Sequence, residues 1–272
     1  MGVVGRRLRA GTLVLVVLVS LSAAGEGLAR PQRPVVSAGY DISWPQCGRA
    51  YPSRVLFGIV GVNGGLPFSV NPCLGGRAGE LAWAERAEPV PILYVNTADP
   101  GPALSMHWPN GQASPQPCNT SGNLGPDTPQ CSFDYGWNAA ADSYADAVAA
   151  YKSLGQLPAS ATQTPQPDEW WLDVESANSW EQTTTNDVQA LAGEVAYLQS
   201  QSVTAIGFYA NSSDWATITG DTTAFAAFPS WLPGAGAERQ AQTRCSSIGA
   251  NGGRARYSQY ATNGYDGDVR CY

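Results

Sequence analysis

The chain has 272 residues, with 15 lysines and arginines against 22 aspartates and glutamates and a single histidine. Its one lysine, Lys152, and its scattered arginines form no basic stripe for a phosphate backbone, which excludes nucleic acid as a partner. At 43% hydrophobic residues it carries enough apolar material for a proper core.

The N-terminus runs from basic (GRRLRAG) to apolar (TLVLVVLVSLSAA) to small and polar (GEGLARP), the order of a cleavable export leader. We expect a signal peptide over residues 1–29, with cleavage after Ala29 or, as second choice, after Ala24. The apolar run is short for a bilayer span, so no stable membrane segment is expected after cleavage. Loss of the leader removes three arginines and one glutamate and leaves a net charge of −9 on residues 30–272. A secreted, acidic, monomeric protein is therefore expected. Six cysteines (Cys47, Cys73, Cys118, Cys131, Cys245 and Cys271) form an even set without C-x-x-C spacing, so three disulfides are expected rather than a metal site. Sequential pairing is the simplest of the possible connectivities.

Along the chain, short apolar and aromatic runs read as strands: GYDIS (39–43), LFGIVGV (56–62), PILYVN (91–96), EWWLDVE (169–175), AIGFYAN (205–211), FPSWL (228–232) and RYSQYA (256–261). Residues 99–132 stand apart, with seven prolines, four glycines, no periodicity and Cys118 and Cys131 inside. They read as a disulfide-pinned loop insertion. Helical spacing of apolar residues begins at Trp137 and stops at Gly155, and begins again at Asn186. Strand and helix alternation over a chain of this length predicts an α/β fold, a single (β/α) TIM-like barrel carrying that insertion. An open doubly wound sheet is the alternative, but no strand is followed by a G-x-G-x-x-G loop.

Strand alternation in EWWLDVE puts Trp170, Leu172 and Val174 on one face and Trp171, Asp173 and Glu175 on the other. The second face would look into the barrel, with its acids toward the C-terminal mouth where barrel enzymes keep their sites. Carboxylates at i and i+2 have Cα atoms roughly 6.5 to 7 Å apart, close enough that ionising one disfavours ionising the other. A glycosidase uses such a pair: one carboxyl held protonated for the leaving oxygen, one ionised near the anomeric carbon. Glu175, beside Trp171 and Trp180, would be the acid and Asp173 its ionised partner. By the same alternation Asp41 points inward as a third acid. Tyr94, Asn96, Tyr209 and Asn211 occupy corresponding strand ends, and with Trp171, Trp231 and Gln259 they form a candidate set for stacking on and hydrogen bonding to a sugar.

These stretches resemble the glycoside hydrolase family 25 lysozymes. GYDISWPQC has the form of their opening strand, G-x-D-[VI]-S-x-x-Q; WWLDVES resembles their D-x-E strand, GFYANSSDW the strand after it, and RYSQYATNGYDGDVRC their closing segment. The resemblance covers nearly the whole mature chain and implies Glu175 as general acid, Asp173 as its electrostatic or substrate-orienting partner and Asp41 as a third acidic member. It also implies peptidoglycan or another N-acetylated polysaccharide as partner, cut at β-1,4 bonds, with no cofactor and no metal. Two positions depart from the pattern. Ser258 replaces a tryptophan in the closing strand, and Arg270 stands where a final acid is expected, unless Asp266 or Asp268 takes that place.

Rival chemistries are poorer fits. The lone histidine, His107, lies in the insertion, which leaves no natural Ser-His-Asp triad or histidine zinc site. A chitinase-like D-x-x-D-x-D-x-E series is nearly present as Asp168, Trp171, Asp173 and Glu175, with Trp171 breaking it. A non-catalytic glycan-binding barrel is the alternative from a different class.

Overall fold

The computed structural model describes residues 1–2, 38–119, 121–155, 164–262 and 264–272; the expected leader and its cleavage site lie outside the described residues. Strands β1 (Gly39–Ile42), β2 (Gly58–Gly61), β3 (Ile92–Asn96), β4 (Glu169–Asp173), β5 (Ile206–Tyr209), β6 (Ser230–Ala235), β7 (Ala255–Ala261) and β8 (Asp266–Arg270) close into one barrel in sequence order. Neighbours from β1 to β7 are parallel, and β8 closes the ring antiparallel to both β7 and β1. The chain therefore has the expected TIM-like architecture with one reversed strand.

Around the barrel lie α1 (Glu80–Ala87), α2 (Gly101–Leu104), α3 (Pro129–Leu154), α4 (Thr184–Ser200), α5 (Ser212–Thr219) and α6 (Glu238–Arg244). Helix α3 starts eight residues before the periodicity at Trp137. Thr128 caps it by accepting a hydrogen bond from the Cys131 backbone N–H, and Pro129 sits in its first turn. The end of the expected insertion is thus helical, and Cys131 pins the loop from a rigid first turn. Helices α1, α2, α5 and α6 are too short to show a period against their surroundings, and β8 (DGDVR) is too polar to read as a strand. Among the described residues no helix is long and apolar enough to cross a membrane.

The disulfides pair sequentially: Cys47 with Cys73, Cys118 with Cys131, and Cys245 with Cys271. The first ties the segments that follow β1 and β2, and the last fastens the end of α6 to the chain just beyond β8.

Two apolar layers follow from strand alternation. Trp170, Leu172 and Val174 face outward with Leu93, Val60 and Phe208 against the helices, while Trp171 joins Phe57, Ile59, Ile92, Tyr209, Trp231 and Tyr257 inside the barrel. Large rings fit inside because a glycine faces them: a Cβ on Gly207 would stand 2.3 Å from the Trp171 ring. At the N-terminal end of the barrel Glu169, the first residue of β4, binds Arg256 at 2.6 Å and accepts from the Tyr257 hydroxyl at 2.9 Å.

Trp171 is boxed in by Trp231 and Tyr257 and cannot yield to an added methyl group. Gly207→Ala should therefore destabilise the fold by about 1–3 kcal/mol, read as a lower urea midpoint; an unchanged midpoint would contradict this account of the interior.

Candidate active site

The C-terminal ends of the parallel strands surround a cleft of about 280 Å³. Asp41 enters from β1, Tyr94 and Asn96 from β3, Asp173 from β4, Tyr209 from β5, Trp231 from β6 and Gln259 from β7, and Glu175 reaches in from just past β4. Ser43, Trp44, Pro45 and Asp266 complete the lining. Asp266 is there because β8 runs backwards: its first residue, paired with Asp41, lies at the mouth where the other strands end.

Eight of the ten residues expected at the site meet in this cleft, namely the three acids with Tyr94, Asn96, Tyr209, Trp231 and Gln259. Two do not. Trp171 is 1% exposed and lies beneath the cleft as its aromatic floor. Asn211 caps α5, where its side-chain oxygen accepts from the Asp214 backbone N–H at 2.8 Å; the last residue of the expected strand is also the residue before a helix, and the helix claims it. The strand is also shorter than expected, so Glu175 sits on a turn beyond Asp173 rather than in the ladder.

The residues not anticipated were Ser43, Trp44 and Pro45; the only available signal was an aromatic directly after the first strand, in DISWP. Trp44 is 47% exposed at the rim. Of the two candidates for a fourth acid, Asp266 lines the cleft and Asp268 is fully buried below it, accepting from the Trp231 indole N–H at 2.8 Å. Neither departure from the family pattern reaches the cleft. Ser258 points to the opposite face of β7 from Gln259, and Arg270, at the far end of β8, pairs with Glu88 and lies over Phe57. Asp168, of the chitinase-like series, is buried away from the cleft and accepts from the Tyr151 hydroxyl at 2.7 Å. His107 is exposed and stacks on Phe68 with ring centres 4.3 Å apart. Among the described residues no three His, Cys, Asp or Glu side chains are grouped to hold a metal ion.

Residues 149–244 match the profile of a family described as Lysozyme-like protein 1. Among solved structures, the muramidase from Trichobolus zukalii superposes with a TM-score of 0.51 at 18% identity, covering 86% of this chain and 93% of that one. The muramidase from Acremonium alcalophilum gives 0.52 at 14% identity over the same shares. The chain has the barrel fold of these muramidases. A third structure, the modular autolysin LytC from Streptococcus pneumoniae with a synthetic peptidoglycan ligand, gives 0.50 at 12% identity, covering 86% of this chain and 46% of that one. No curated protein matches by sequence.

Within this barrel fold the electrostatics of the mouth are one-signed: among the described residues no lysine or arginine lines the cleft. Burial, and next the neighbouring Asp266, push Asp41 up to about 7. Burial, then Glu175 and Asp41, hold Asp173 well above the usual carboxylate range. Glu175 is raised by burial and then by Asp214 and Asp266. Asp41 is steadied by a hydrogen bond from the Gln259 amide at 3.1 Å, and that amide's oxygen accepts from the Tyr209 hydroxyl at 2.9 Å. Asp173 has a buried carboxylate oxygen without a protein partner. Such a group of carboxyls ionises stepwise, leaving some protonated near neutral pH while others carry charge.

Raised acids are not confined to the mouth. Burial brings Glu80 and Asp99 to about 7 and Asp168 and Asp187 to about 8. With folded values above unfolded ones, the native state holds more protons between roughly pH 4 and 8, so stability is full below that window and is lost as pH rises through it. The melting temperature should be lower by about 5 °C or more at pH 8 than at pH 5. Scanning calorimetry across that range checks this, and a flat or rising profile would contradict it.

Proposed function

We propose that this chain is a secreted glycoside hydrolase of lysozyme type that cuts β-1,4 bonds of peptidoglycan or a related N-acetylated glycan. The observation that carries the reading is the convergence of Glu175, Asp173 and Asp41 in one aromatic-rimmed cleft. A sugar chain suits that lining. Trp44, Tyr94 and Trp231 offer ring faces and edges for pyranose stacking, and Asn96 and Gln259 offer amides for hydroxyl or acetamido groups. The likeness to muramidases and to an autolysin seen with a peptidoglycan ligand supports the same substrate class. Three disulfides and the leader-like N-terminus support export.

In the reaction Glu175, kept protonated by burial and by Asp214 and Asp266, gives its proton to the glycosidic oxygen as the C1–O bond breaks. The bonding electrons leave with that oxygen, and positive charge builds at the anomeric carbon. Asp173, itself held well above the usual carboxylate range by burial, orients the substrate's acetamido oxygen toward that carbon by hydrogen bonding. Water then completes hydrolysis and returns a proton to Glu175. Asp41, tied to Gln259, is a third acidic group in the cleft.

Wild-type protein should release reducing ends from purified cell walls, and Glu175→Gln should lower the rate by about 10²-fold or more, the loss of a general acid. If wild type and Glu175→Gln release the same background amounts, hydrolysis is ruled out. Retained wall binding in that case would identify a non-catalytic glycan-binding barrel.

A further inference from the structure

Glu175 lies two residues beyond the end of β4, so the barrel's ladder does not place it. Its turn is fixed instead by Trp180, whose indole N–H donates to the Glu175 carbonyl at 2.8 Å, with the Asn178 backbone N–H donating to the same oxygen at 3.1 Å. Trp180 is half-buried and is itself fastened from the neighbouring loop. It forms a parallel bridge with Asp99, and the Asp99 backbone N–H donates to Ser179 at 2.9 Å. The same two loops are laced a second time under the partner acid. Thr97 donates from its backbone and hydroxyl to the Asp173 carbonyl, at 3.1 and 2.7 Å, and its own carbonyl accepts from the Asn178 amide at 3.0 Å. Both carboxylates of the D-x-E pair thus hang from contacts made by residues 97–99 and 178–180.

Asp99, the anchor of this lacing, is fully buried, with the Ser132 hydroxyl and the Gly101 backbone N–H beside it as the groups that favour its charged form. Its titratable neighbours are acidic: Glu181 from the loop after β4, Asp127 from the insertion, and Glu194 and Asp187 from α4, with the Tyr135 hydroxyl from α3. Asn186 bridges Asp127 and Glu181, at 2.5 and 3.2 Å, and the Glu181 backbone N–H donates to Asp187 at 3.3 Å. Around Glu175 itself stand Asp173, Asp214 and Asp266.

We propose that Trp180 is a positioning residue for Glu175, and that the buried carboxyl cluster around Asp99 anchors Trp180 while it shares protons and loosens it as the cluster ionises. This rests on Glu175 being the acid, and goes beyond it by making the loop behind the acid sensitive to pH. Asp99 and Asp187 are held near 7 and 8 by burial first and by their acidic neighbours second, so the cluster carries protons in acid and loses them above neutrality. Crowded charges then repel across the seam between the two loops.

The test follows the Glu175 carboxyl by carbon-13 NMR titration, assigned with Glu175→Gln, together with kcat and KM on cell walls across pH. Trp180→Phe keeps a ring and removes the donor. Its Glu175 carboxyl should titrate lower than in wild type, and kcat should fall about 10²-fold with KM little changed, the cost of a misplaced group. Asp99→Asn removes one ionising member, and the alkaline limb of the kcat profile should move to higher pH. Wild-type titration and kcat in Trp180→Phe would overturn the positioning role, and an unmoved alkaline limb in Asp99→Asn would overturn the anchor. If Trp180→Phe does not fold, Asp99→Asn still decides: its Glu175 titration should stay raised to a higher pH than in wild type, and an unshifted curve would refute the coupling. Should wild type prove as inactive as Glu175→Gln, the hydrolase reading falls alone, because the titrations still report on Trp180 and Asp99.

Discussion

Everything at the mouth of this barrel depends on burying several carboxyl groups together without a cation. Water would solvate each of them; the cleft instead gives them neighbours of the same sign, and the group answers by retaining protons. That constraint raises Glu175 with its neighbours, leaves Asp173 with a buried oxygen that has no protein partner, and requires hydrogen bonds from Gln259 and Trp231 to hold Asp41 and Asp268 in place. The surrounding rings serve the same end, because Trp171, Trp231, Tyr209 and Tyr257 exclude water from below.

The reversal of β8 is the second organising feature. In a wholly parallel barrel each strand delivers its last residues to the mouth, but β8 delivers its first. One face of this strand therefore runs from Asp266 at the cleft, through buried Asp268, to Arg270 at the opposite end, where the arginine meets Glu88 and packs over Phe57. A cation that by position in the chain looked like a threat to the acidic site lies a barrel's length from it. The acid the family pattern calls for has two partial occupants, one at the surface of the cleft and one beneath it.

Legibility tracked the range of the interactions involved. The inward placement of Asp173 and the outward placement of Trp170 and Leu172 come from an alternation of two, which any extended segment obeys. Sequential disulfides join cysteines 13 or 26 residues apart, and the loops they close were visible as spacing. Asn211 was misplaced because two local rules compete for one residue, and helix capping won. Helix α3 begins ahead of its apolar spacing because its first turn is marked by a cap, Thr128 with Pro129. The acidic seam at Asp99, Asp127, Glu181 and Asp187 was invisible, since its members come from four segments and none stands in a motif.

By itself the sequence determined the alternating α/β order, the strands bearing inward acids and the even set of cysteines, all consequences of periodicities and spacings carried within short stretches; which cysteines pair came from the structure. Tertiary structure alone decided that β8 runs antiparallel, that Asp266 rather than Arg270 reaches the cleft, that Trp171 is floor and not wall, and that Trp180 and Asp99 stand behind Glu175. Those outcomes depend on which distant segments pack together and in which direction, and closing a barrel sets both only when all eight strands are in register.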